Sequence, residues 1–226
     1  MDPRQHWETV YRTNRATDLN CYERDARASF EIIRKFAPST DAVIFDIGGG
    51  TSTLVDALVA GGYQRVTVLD LSGTALDQAR QRLGPAADNV TWLAQDLFLA
   101  EFPRAWIDVW HDRAFFHLLT EASERRLYLA QLRHAMRTGG HVIVAGSAAG
   151  GPATCGGAPV VHYTPESLLR ELGSGFELVT NSIETHVTPD GDREPYLYCV
   201  FRVTAKSKDA VPARTGPLPH RSSDVI

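Results

Sequence analysis

The sequence predicts an α/β fold, a doubly wound, seven-stranded, mostly parallel sheet that ends in an antiparallel hairpin. Three observations predict it. Short apolar runs alternate with segments of helical periodicity from residue 42 to 145, as expected of strands covered on both faces. Gly48-Gly49-Gly50 follows the first of these runs directly and opens a helix. Two longer runs, 176–186 and 196–203, are joined by Pro189-Asp190-Gly191-Asp192, which reads as a hairpin turn rather than a crossover.

In chain order, residues 6–12 form a short helix with Trp7, Val10 and Tyr11 on one side, and residues 13–20 are polar and loop-like. A second helix over 25–36 groups Ala28, Ile32 and Phe36, with Ile33 beside them. The strand 42–47 and the helix 53–60 flank the glycines, and Gly61-Gly62 ends that helix. Residues 65–69 form the next strand, ending on Asp70, and Ser72 is placed to cap a helix over 75–83. Strands over 90–93 and 106–110 follow, then a helix over 123–136 and a strand over 141–145. Residues 146–159 are rich in glycine and alanine and read as a mobile loop. Thr164-Pro165 starts a helix with Thr as cap and Pro at its first position. The organisation predicted is an N-terminal helical lid over 1–40, the α/β domain over 41–203, and a disordered, proline-containing tail over 204–226.

Composition narrows the function. At 226 residues, with 43% hydrophobic and 22% charged residues, the chain suits one globular domain with an elaborated edge. A formal net charge of −4 gives no electrostatic case for nucleic acid or an anionic membrane surface. The dense basic stretches, Arg125-Arg126 and Arg133 to Arg137, sit on a helix and read as a solvated face. Cys21, Cys155 and Cys199 are widely separated and form no Cys-x-x-Cys pair, which argues against a zinc knuckle or disulfide scaffold. No apolar stretch approaches the roughly 20 residues of a membrane span. A reduced, soluble, cytoplasmic protein, monomeric or homodimeric, is expected.

Asp46 distinguishes the glycine turn from a phosphate-binding one. A carboxylate beside the ligand would repel a pyrophosphate but suits a cation such as an amino acid's ammonium. The second and third telling acids are Asp70, 22 residues after Gly48, and Asp96 at the end of the following strand. An acid at the first of these places can accept both hydroxyls of a ribose. Three successive strands ending in Asp exceed what turn capping requires.

The pattern Asp46-x-Gly48-x-Gly50-x-Ser52 resembles motif I of the class I methyltransferases that use S-adenosylmethionine, with Ser52 where the third glycine usually stands. The resemblance covers the motifs over 42–146 and, with the hairpin, about 42–203. It implies the class I methyltransferase fold and S-adenosylmethionine as methyl donor, with S-adenosylhomocysteine as product. It also implies that Asp46 and Gly48, Gly49 and Gly50 hold the methionine moiety, Asp70 the ribose, and Asp96 with Leu97 the adenine, with Leu71 also among the cofactor-binding residues. Trp7 and Tyr11 would close over the donor, and His111 would lie near the sulfonium.

The tract Trp110-His111-Asp112-Arg113-Ala114-Phe115-Phe116-His117 falls where the acceptor enters such enzymes. His111, Asp112, Arg113 and Tyr22 are therefore the catalytic candidates, although Asp112 and Arg113 also suit an ordering ion pair. Losing His111 or Arg113 should lower turnover. The fourth strand lacks the Asn/Asp-Pro-Pro-aromatic signature of enzymes that methylate nucleic-acid amines. It also lacks the paired ligands of a metal site. The N-terminal His6-Trp7-Glu8-Thr9-Val10-Tyr11, with Cys21-Tyr22-Glu23, resembles the lid of small methyltransferases acting on thiols, tellurite or related nucleophiles. It also looks like the start of some protein-lysine methyltransferases. A small-molecule acceptor is the leading expectation and a protein lysine the alternative. A binding scaffold without catalysis would be marked by Trp110, Phe115 and Phe116 blocking the acceptor side.

Overall fold

The computed structural model describes residues 2–204. Apart from Thr204, the tail expected to be disordered lies outside the described residues. Helix α1 (Pro3–Thr13) starts on Asp2, whose carboxylate accepts from the Arg4 amide, with Pro3 at its first position. Helix α2 (Arg27–Phe36) leads to β1 (Val43–Ile47), α3 (Leu54–Ala60), β2 (Arg65–Asp70) and α4 (Gly73–Leu83). Ser72 caps α4 as its sequence suggests, accepting from the Ala75 amide at 3.2 Å. Next come β3 (Val90–Ala94), β4 (Ile107–Arg113), α5 (Ala122–Ala135) and β5 (Met136–Ser147). A small hairpin of β6 (Thr154–Cys155) and β7 (Ala158–Pro159) follows, then α6 (Pro165–Leu172), β8 (Phe176–Val187) and β9 (Arg193–Val203).

The main sheet has seven strands in the order β3-β2-β1-β4-β5-β9-β8. Its first five strands are parallel, and β9 joins antiparallel to both β5 and β8. Alternation along the buried strands sends side chains to two cores. On one face Phe45, Trp110, Val142 and Phe201 pack under α5 and α6 with Tyr128, Leu132 and Leu172. On the other, Ile44, Val109, Ile143 and Val200 pack with Ile33, Leu54 and Leu58 of α2 and α3. The chain reverses direction across the sheet between β1 and β4, the place where open α/β sheets hold ligands.

Three details differ from the sequence reading. Strand β4 continues through Arg113, so His111, Asp112 and Arg113 are strand residues, not a loop. Pairing with Ile143, Val144 and Ala145 of β5 carries the strand that far. The 146–159 segment contains the β6–β7 hairpin, which docks on the N-terminal segment through His6 and Trp7. The basic stretches do not lie on one helix face: Arg125 and Arg133 are on α5, where Arg125 donates to the Leu119 and Thr120 carbonyls and pairs with Glu171 and Arg133 donates to the Leu172 carbonyl, whereas Arg137 is on β5 and pairs with Asp108.

Candidate active site

The turn after β1 needs glycine for steric reasons. Gly48 and Gly50 have φ of +64° and +49°, and a Cβ on Gly49 would lie 2.5 Å from Val68 and 2.8 Å from Asp46 Oδ2. The backbone can therefore fold back over the end of β1. Beside it opens a cavity of about 680 Å³. Its floor includes Asp46, Gly48, Gly49, Asp70, Leu71, Asp96 and Leu97. Trp7, Tyr11, Cys21 and Tyr22 of the N-terminal segment and Cys155 of the hairpin contribute to its walls, as do Arg113, Phe115 and Leu127.

Asp46 is 2% exposed. Its Oδ1 lies 2.8 Å from His111 Nδ1, while Oδ2 is buried with no hydrogen-bond partner among the described residues. A buried, half-satisfied carboxylate on a cavity wall is a place for a cation or a strong donor. Asp70 accepts from the Ser72 amide at 2.8 Å and from the Gly50 amide. Burial nevertheless pushes its carboxyl up to about 6, because desolvation outweighs those bonds. Asp96 Oδ1 accepts from the Phe98 amide at 2.8 Å, which fixes the turn after β3.

The N-terminal segment is held over this floor. Glu8 accepts from the Gly73 and Thr74 amides at the start of α4. Despite some desolvation, bonds from Thr74, Gly73 and Ser72 hold its carboxyl below the usual range. Gln78 Nε2 donates to the Tyr11 carbonyl, and Tyr11 crowds Gly50 so closely that a Cβ there would lie 2.5 Å from its hydroxyl.

Of the residues singled out by sequence, the cavity gathers Trp7, Tyr11, Tyr22, Asp46, Gly48, Gly49, Asp70, Leu71, Asp96, Leu97 and Arg113. Gly50, His111 and Asp112 are not on its wall. His111 stands behind Asp46, 1% exposed, with Nε2 at 2.9 Å from Ser29 Oγ. Alternation along β4 puts Asp112 on the opposite face, where it accepts from the Phe115 and Phe116 amides and from the Tyr128 hydroxyl. Burial raises its carboxyl to about 6 against those three bonds.

Arg113 reaches the cavity but is fully engaged. It pairs with Glu23 at 3.0 Å, donates to the Cys21 carbonyl at 2.8 Å and to the Tyr198 hydroxyl at 3.1 Å, and lies over the Tyr196 ring. Trp110 and Phe116 are core residues and Phe115 forms cavity wall, so this trio leaves the cavity open.

Glu8, Glu23, Ser29 and Tyr128 were not singled out by sequence. Each acts through a contact between distant segments, and no local motif announces such contacts.

The "Methyltransferase domain" family matches residues 44–140. Among curated proteins, the eEF1A lysine and N-terminal methyltransferase of Mus musculus is 26% identical over 144 residues, which is 61% of this chain and 20% of that protein. The chain thus spans a fifth of that relative's length. A SAM-dependent methyltransferase from Anabaena variabilis has a similar fold, with a TM-score of 0.69 at 16% identity over 90% of this chain and 96% of that one. The 1,6-didemethyltoxoflavin-N1-methyltransferase of Burkholderia thailandensis, solved with its heterocycle and S-adenosylhomocysteine, has a TM-score of 0.69 at 21% identity over 89% and 87%. Residues 44–140 thus match the methyltransferase domain family, and the fold is the one that these S-adenosylmethionine-dependent methyltransferases share.

Proposed function

We propose that the enzyme transfers a methyl group from S-adenosylmethionine to a heteroatom of a small molecule, a thiol, chalcogen or heteroaromatic nitrogen. The observation that carries this reading is the roofed cavity, which the chain's own N-terminal segment and hairpin cover beside the acidic floor. A roof of that kind suits an acceptor that enters whole. The fold shared with an enzyme solved with a small heterocycle supports it.

The residues present fit the donor. Asp46 Oδ2 would take the ammonium, the Gly48–Gly49 backbone the methionine chain, Asp70 and Leu71 the ribose, and Asp96 and Leu97 the adenine. When bound, the donor supplies an electrophilic methyl carbon. The protein's own part is to hold donor and acceptor in line and close together, which accounts for much of the rate in such transfers. Trp7, Tyr11 and Tyr22 exclude water from the reacting centre. Arg113 and Glu23 form one wall, and Glu23, raised by burial against the pull of Arg113, is the titratable group that can take a proton from an acceptor that must lose one.

S-adenosylhomocysteine release across a panel of small thiols, selenols and heteroaromatic amines tests the reading. Turnover with at least one class is expected, and none across the panel would contradict it. A protein-lysine acceptor is the second reading, favoured by the murine relative. It requires that a labelled methyl group appear on lysine in a proteome lysate.

A further inference from the structure

Cys21 and Cys155 are 134 positions apart in sequence, yet both line the cavity wall with their thiols close enough to interact, and the residues beside them meet where the Gly156 amide donates to Asn20 Oδ1 at 3.5 Å. Both are free thiols. Cys21 lies in the N-terminal cover just before α2, and Cys155 ends β6 of the hairpin. The same junction carries His6 Nε2 at 3.1 Å from the Gly156 carbonyl, and the Trp7 ring so close to Gly156 that a Cβ there would lie 2.6 Å from it. The two thiols therefore sit where the two halves of the roof meet.

We propose that Cys21 and Cys155 form a reversible disulfide that staples the N-terminal cover to the β6–β7 hairpin and locks the cavity closed. Low-molecular-weight disulfides are the oxidant class. The Cys21 thiolate attacks one sulfur of oxidised glutathione, whose S–S bond breaks and releases one glutathione thiolate. Cys155, after losing its proton to solvent, attacks the Cys21 sulfur of the mixed disulfide and expels the second glutathione. The protein gives up two electrons and two hydrogens, and oxidised glutathione becomes two molecules of the thiol.

The surroundings assign the roles. The interaction with Cys155, with the charge of Arg113, lowers the Cys21 thiol against the opposing effects of burial and Glu194. The same interaction and burial raise Cys155. Cys21 is thus the attacking sulfur and Cys155 the resolving one. Cys199, fully buried in β9 with its thiol pushed up to about 12 by burial, takes no part. Intracellular disulfides of this type are transient and redox-sensing rather than structural.

The full chain is incubated with oxidised glutathione, and its disulfides are mapped by peptide mass under non-reducing conditions. Two of the three thiols should disappear into one cross-link joining the Cys21 and Cys155 peptides, and dithiothreitol should restore both. Cys155→Ser should instead trap glutathione on Cys21, and Cys199→Ser should cross-link like the natural chain. Glutathione on Cys21 and Cys155 separately, a cross-link involving Cys199, or three surviving thiols would overturn the proposal. This mapping is independent of methyl transfer. The closing effect rests on the cavity being the donor site: S-adenosylhomocysteine should leave the oxidised protein about tenfold more slowly or worse, and an unchanged release rate would overturn the lock.

Discussion

His111 Nδ1 lies 2.8 Å from Asp46 Oδ1, both groups sealed from solvent, so the histidine acts on Asp46 rather than on a substrate. An ionised Asp46 can only accept, which assigns the proton to Nδ1 and leaves Nε2 to accept from the Ser29 hydroxyl. Ser29 also bonds Tyr198, whose hydroxyl accepts from Arg113 Nε. A buried chain of hydrogen bonds thus runs from Arg113 to Asp46 and orients the carboxylate that faces the cavity.

Loss of His111 or Ser29 should therefore weaken donor binding more than turnover, the reverse of what the sequence suggests. Removing one such buried bond costs about 1–2 kcal/mol, about a 5- to 30-fold rise in the S-adenosylhomocysteine dissociation constant. Calorimetry on Ser29→Ala and His111→Asn checks this. Unchanged affinity with a collapsed kcat would return His111 to a direct catalytic role.

Donor affinity should follow the charge of Asp70. Burial pushes its carboxyl up to about 6, and in the proposed donor site it is the ionised form that accepts both ribose hydroxyls. Affinity is expected to be level above about pH 7 and to fall toward tenfold per unit below pH 6. Stability moves the other way. A carboxyl raised from 3.8 to about 6 holds its proton more tightly in the folded protein, so this contribution is complete below pH 3.8 and is lost as pH rises through 6. Titrations from pH 5 to 8 should show the affinity profile flatten in Asp70→Asn, and an identical profile in that variant would contradict the assignment.

Tyr128 bridges the Trp110 indole N–H and the Asp112 carboxylate, 2.8 Å from each, deep in the core. Tyr128→Phe keeps the ring but takes the hydrogen-bond partner from the buried Trp110 N–H and from Asp112 Oδ2, at a cost of about 1–3 kcal/mol each. Denaturant unfolding should show a loss of about 3 kcal/mol. The loss should be smaller at pH 5 than at pH 7, because protonated Asp112 tolerates the missing donor. A loss below 0.5 kcal/mol, where ordinary surface changes fall, would exclude the bridge as a stabilising element.

Arg113 ties Glu23 and the Cys21 carbonyl to β4 and β9. Without it the cover should open locally more often while the core stays folded. Trypsin should cut Arg113→Ala after Arg15 and Arg24 about tenfold faster than the unaltered chain, and Arg113→Lys should fall between. Equal cleavage rates would show that the cover is held without Arg113.

The sheet was legible in the sequence because its strands are buried on both faces, and the order of Asp46, Asp70 and Asp96 at successive strand ends foretold the cavity floor. What escaped was anything set by pairing across the chain. The continuation of β4 depends on β5, so His111 looked like a loop residue instead of a support behind Asp46. The meeting of Cys21 and Cys155 depends on the hairpin folding back onto α1. Three scattered cysteines carry no trace of it.

The most direct test is calorimetric titration of the reduced protein with S-adenosylhomocysteine, repeated on Asp70→Ala and checked for folding by circular dichroism. Micromolar binding that weakens by about 1–3 kcal/mol in the folded variant is the predicted result. No binding to the unaltered protein, or equal binding to Asp70→Ala, would contradict the placement of the donor on the β1–β3 strand ends.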